Sequence, residues 1–152
     1  MRWMAVIILG LVLPISALAG DDARQAKVDA ATQNALSGMM ADVARQPITP
    51  KLAVRDLLNS TNGADALMDT LKQADQIGGP RWIDEQTCQV QLEIAGQKVA
   101  DRLVKISTAA GERSPVKAQT VRSAVRNWGR RTFTAVGSSA TEVNAGAVER
   151  DH

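Results

Sequence analysis

Cys88-Gln89-Val90-Gln91-Leu92-Glu93-Ile94 alternates apolar and polar residues without a break. A period of two is the mark of a β-strand with one buried face, because successive side chains point to opposite sides of the pleat. The reading places Cys88, Val90, Leu92 and Ile94 inward. Free Cys is among the most buried residue types, so Cys88 is expected to pack rather than react. It is the only Cys in the chain, which excludes a disulfide within one molecule.

Upstream, Trp82 and Ile83 begin an earlier strand and Asp84-Glu85-Gln86 form a bend, so 81–95 reads as a hairpin or one bent strand. Gly78-Gly79-Pro80 ends a helix predicted over about 64–76, with Leu67, Met68, Leu71 and Ala74 on one side. Before it, Asn59–Gly63 reads as a polar turn. A short helix of about 51–58 carries Val54, Leu57 and Leu58, with Thr49 and Pro50 as its start signal. The opening helix covers 23–45, where Ala23, Ala26, Ala30, Ala31, Ala35, Met39 and Val43 recur at steps of three and four beside Leu36 and Met40. Asp21 or Asp22 caps its start, and Gln46–Pro50 stops it.

Downstream, Gly96 turns the chain into a helix of about 97–109, lined inside by Val99, Leu103 and Ile106. Lys98, Asp101, Arg102 and Lys105 face water. A loop at 111–115 leads to a helix of about 116–128 with Val121, Ala124, Val125 and Trp128. Residues 130–136 alternate weakly and read as a last strand. The expected fold is α+β: an Ala-rich N-terminal helix and further helices packed on a small antiparallel sheet. It is a single domain over 20–136, with a core of 23–109 and a basic part of 110–136. Residues 137–152 read as a flexible tail.

Residues 1–19 read as a secretory signal. Arg2 supplies the positive start, Met4–Ile15 is an apolar run broken by Pro14, and Ala17-Leu18-Ala19 fits small-residue cleavage. Export to the periplasm or outside the cell is the expected localisation. Gly20 and Asp21 stand where a lipoprotein signal needs Cys.

The 152 residues carry 18 Lys+Arg and 16 Asp+Glu, one His, no Tyr, one Phe and three Trp. Charge is unevenly spread. Residues 21–97 hold 7 positive and 11 negative side chains. Residues 98–134 hold nine positive (Lys98, Arg102, Lys105, Arg113, Lys117, Arg122, Arg126, Arg130, Arg131) and two negative (Asp101, Glu112). Such a block is a candidate contact for a polyanion or an acidic partner. The candidate binding residues are Lys117, Arg122, Arg126, Arg130 and Arg131. The expected partner is an envelope protein or an anionic envelope surface, with self-association compatible and nucleic acid not expected. The strand 87–95 is a second candidate contact, through edge-to-edge pairing.

Several chemistries lack their residues. His152 ends the chain, far from any expected scaffold for a triad base. One Cys and one His do not make a structural zinc site. Gly78-Gly79-Pro80 lacks the Lys and Ser/Thr of a phosphate loop. No catalytic, cofactor or metal residue is assigned, and no cofactor is expected. Two alternatives to a binding role are weighed: a small envelope hydrolase using Asp84, Glu85 or Glu93, and a periplasmic chaperone with Met39 and Met40 as adaptable surface.

The order of elements over 23–106 resembles a family of small exported bacterial proteins that includes the twenty-kilodalton membrane-associated lipoproteins and flagellar assembly lipoprotein P. The resemblance is carried by the Ala-periodic opening helix Ala23–Val43, the apolar helix pair Val54–Ala74, and Gly79-Pro80-Arg81-Trp82-Ile83-Asp84-Glu85-Gln86-Thr87-Cys88-Gln89-Val90-Gln91-Leu92-Glu93-Ile94. The helix Val99–Ile106 follows in the expected place. The chain departs from the family in lacking the lipid-bearing Cys. The resemblance implies a compact α/β unit and a non-enzymatic role in assembly at the cell envelope, and no catalytic residue.

Overall fold

The computed structural model describes residues 16–140, with side chains from Gly20 onward. Most of the signal segment, the residues from 141 on and His152 lie outside the described residues. In chain order the elements are α1 (Ser16–Ala44), β1 (Pro47–Thr49), β2 (Leu52–Ala53), α2 (Val54–Thr61), α3 (Ala64–Leu71), β3 (Asp75–Gln76), β4 (Arg81–Trp82), β5 (Cys88–Ala95), α4 (Gly96–Ala110), α5 (Ala118–Ala124) and β6 (Thr132–Ser138). Single turns of 3-10 helix cover Gly111–Arg113 and Arg126–Arg130. The fold is α+β, with five α-helices and two antiparallel sheets among the described residues.

β5 is the centre of the main sheet. Cys88, Val90, Leu92 and Ile94 are buried, as their alternation predicts. Each such side chain contributes roughly 1.5–3 kcal/mol by leaving water. β6 runs antiparallel along one whole side of β5, with Val90 opposite Gly137 and Ile94 opposite Phe133. β3 and β4 share the other side, with Asp75 opposite Glu93 and Trp82 opposite Cys88. The expected hairpin at 81–95 is therefore present. The strand is not an edge, however. Both its flanks are paired, so edge-to-edge pairing through 87–95 is ruled out. The outer strands β3 and β4 are two residues each, and β6 is the long strand left open on one side.

α1 lies across β5 and β6 and buries Ala31, Ala35, Leu36, Met39 and Val43. Ala23, Ala26 and Ala30, also on the predicted period, are exposed. Arg24 stacks on Trp82, 4.9 Å from the ring centre. Lys27 Nζ donates to the carbonyl oxygen and Oε1 of Gln86 at 2.8 and 2.7 Å. These contacts tie the helix to the β4–β5 turn. α4 closes the core from its own side with Val99, Ala100, Leu103 and Ile106.

Several boundaries differ from the sequence reading. The Thr49 hydroxyl accepts from the amides of Lys51 and Leu52 at 3.3 and 3.1 Å, which closes a turn between β1 and β2 instead of starting a helix. The helix starts at Val54, where the Asp56 carboxylate accepts the Ala53 amide at 2.7 Å. It takes in Asn59–Thr61 and ends at Asn62, whose φ of 52° is a left-handed cap. The next helix stops at Leu71, because Asp75 and Gln76 are drawn into the sheet by β5. The helix predicted at 116–128 is α5 plus a 3-10 turn. The last strand passes residue 136. Gly137 is buried and Ser139 donates its amide to the Cys88 carbonyl at 2.8 Å, so the tail boundary moves beyond them.

Candidate functional site

α4 and α5 are held at a fixed spacing by ties at both ends. At one end Ser107, buried, bonds to the Ser114 hydroxyl at 2.9 Å, and Ser114 donates to the Val116 carbonyl at 2.6 Å. At the other end Trp128 is buried edge-on against Phe133, with ring centres 5.2 Å apart. Gly96 there donates its amide to the Arg131 carbonyl at 2.9 Å. A side chain at Gly96 would strike the carbonyl oxygens of Trp128 and Arg131, so this close approach requires glycine.

Between the ties lies a groove of about 870 Å³. Ala100, Val104, Ala109 and Val125 supply its apolar surface. Lys105, Arg122 and Arg126 supply three cations, against the single carboxylate of Asp101. Asp101 accepts from Gln97 Nε2 at 2.7 Å, and Arg122 Nη1 donates to Gln119 Oε1 at 3.1 Å. No ion pair among the described residues engages Lys105, Arg122 or Arg126. All three side chains are exposed, so their charge is available to an incoming anion. The volume lies within the range of small-ligand clefts.

The five binding residues read from sequence separate in space. Arg122 and Arg126 share the groove. Lys117 precedes α5 and Arg130 ends the 3-10 turn, both exposed and outside the groove lining. Arg131 acts on the fold itself. Its guanidinium stacks on Trp128 and Phe133, 4.6 and 4.5 Å from the ring centres, and donates to Gln46 Oε1 at 3.0 Å. Sequence reasoning missed Lys105 as a groove residue, although Asp101, Lys105 and Thr108 follow at steps of four and three, which marks one helix face. Arg102, read as water-facing, is half-buried and donates from Nε to the Thr70 hydroxyl at 2.6 Å, satisfying a buried polar group.

The acidic residues weighed for hydrolysis are dispersed. Asp84 and Glu85 are exposed in the β4–β5 turn, and Glu93 lies on the outer sheet face. The hydrogen bond from the Gln86 amide holds the Asp84 carboxyl below the ordinary value of 3.8 against the opposing effect of desolvation, with Thr87 and then Lys27 adding to the lowering. A general acid working near neutrality needs the opposite shift. Cys88 is fully buried and its thiol is pushed up by that burial. Met39 is buried and Met40 packs on the core, so neither forms an open apolar surface. Among the described residues no cluster of His, Cys, Asp or Glu is suited to a metal, and no helix is long and apolar enough to cross a membrane.

No protein-family model matches this chain, and neither curated proteins nor solved structures match it.

Proposed function

We propose that this chain is a non-catalytic, exported cell-envelope protein that works by binding or assembly, and that the α4–α5 groove receives an anionic partner. The observation that carries the reading is the convergence of Lys105, Arg122 and Arg126, free of ion pairs among the described residues, on a groove with an apolar floor. Three cations on one low-polarity surface attract a phosphate or carboxylate, while Ala100, Val104 and Val125 suit a short apolar portion beside it. Export rests on the sequence of residues 1–19. Among the described residues of α1 the first buried position is Ala31, well past a cut after Ala19.

The test is capture from an envelope extract by the purified chain, at low and high salt, beside an Arg122→Glu/Arg126→Glu variant. A complex that forms at low salt, weakens at high salt and is lost in the variant supports the reading. No complex at either salt, or one the variant retains, overturns it.

A further inference from the structure

The open side of β6 has a specific composition. The Gly96 amide bonds to the Arg131 carbonyl, and the Ser139 amide to the Cys88 carbonyl. With the register between them unbroken, Phe133, Ala135 and Gly137 turn their backbone groups toward β5. The N–H and C=O groups of Thr132, Thr134, Val136 and Ser138 therefore point away from the sheet. Ser138 is covered, because Asn34 Nδ2 donates to its carbonyl at 2.7 Å. Thr132, Thr134 and Val136 have no hydrogen-bond partner for these groups among the described residues.

Open strand edges are usually guarded by charge, proline or a bulge. Thr132–Ser138 contains no charged residue and no Pro, and its pairing with β5 is regular. Val136 is 62% exposed, the highest value among the exposed large hydrophobics of the described residues.

We propose that β6 is the interface between two copies of this chain, paired antiparallel about a two-fold axis at Thr134. Three features select a second copy as the occupant. In this register Thr134 faces itself, and Thr132 faces Val136 of the second copy. All the outward backbone groups of Thr132, Thr134 and Val136 are then used. Because the strand is uncharged, self-pairing sets no like charges opposite each other. Finally, the α1 charges beside Thr132 and Thr134, Asp42 and Arg45, pair with each other, and the axis sets Arg131 opposite Gly137 of the second copy, not opposite another Arg. The inference is independent of the groove and its ligand.

The experiment is the native mass of the purified chain by sedimentation or light scattering, across the micromolar range. A dimer is expected. Thr134→Lys places two ammonium groups across the axis, and Thr134→Pro removes only an outward N–H. Both should give monomers with unchanged far-UV circular dichroism. Paired Thr134 residues would sit about 5.5 Å apart at Cα. A short bifunctional thiol reagent should therefore cross-link two copies of the Thr134→Cys variant while Cys88 stays buried. A monomer throughout the range, or a dimer that both folded variants retain, overturns the proposal. A dimer that the Lys variant breaks but the Cys variant does not link overturns the register.

Discussion

Gly137 of β6 lies directly beneath Ala31 of α1, with the helix backbone where a side chain would be. A Cβ at Gly137 would fall on the Ala31 carbonyl oxygen and the Ala35 amide nitrogen. The small residues on both elements let the helix axis come down onto the sheet. Gly137→Ala must push α1 away and is expected to cost at least about 1–3 kcal/mol, the usual range for overpacking. Urea denaturation of the variant checks this. An unchanged midpoint would show that the helix does not approach β6 so closely.

Arg131 is expected to behave as a packing residue. Its guanidinium covers Trp128 and Phe133 and reaches Gln46 across 85 residues of sequence. Arg131→Ala should lower stability by about 1 kcal/mol, the scale of an exposed cation–π contact. Arg131→Lys should recover only part of it, since the planar group is what stacks and forks. Denaturation followed by tryptophan fluorescence reports both. Equal stability of Lys and wild type would mean that charge alone matters.

Cys88 should be inert while the chain is folded. The side chain is fully buried and the thiol is raised from its ordinary value of 9.0, so both access and thiolate are lacking. A thiol reagent at neutral pH is expected to modify it only as fast as the protein opens, and at once in denaturant. Rapid labelling of the native protein would place Cys88 at the surface.

Asp84 gives a pH signature of known sign. Its folded pKa lies below the ordinary 3.8, chiefly through the Gln86 amide. Its contribution to stability is then complete above the unfolded value and is lost as pH falls through the folded one. A carboxyl-detected titration should show a midpoint below 3.8 for Asp84. Asp84→Ala should differ from wild type in stability above that pH and converge with it below. A midpoint at or above the ordinary value would mean the turn does not hold the carboxylate.

Much of the chain announces itself locally. Alternation at 88–94 gives β5 and its buried face, and three- and four-residue steps give the inner sides of α1, α2 and α4. These patterns are legible because burial of one face acts on residues adjacent in sequence. Thr49-Pro50 misleads because its local signal suits either a helix start or a turn. The β1–β2 pairing decides between them. Asp75–Gln76 has no strand pattern of its own and becomes β3 only because β5 offers it hydrogen bonds.

The candidate site shows the same division. The sequence by itself determined that residues 98–134 are rich in cations and that α4 and α5 carry them. Only the tertiary structure decided that Arg122 and Arg126 meet Lys105 across one groove, while Arg131 is spent on Trp128 and Phe133. It also decided that β6, not β5, is the long open edge. The physical reason is that periodicity encodes which face of an element leaves water. Which elements then become neighbours depends on close approaches such as Gly137 under Ala31 and Gly96 against Trp128, between residues far apart in the chain.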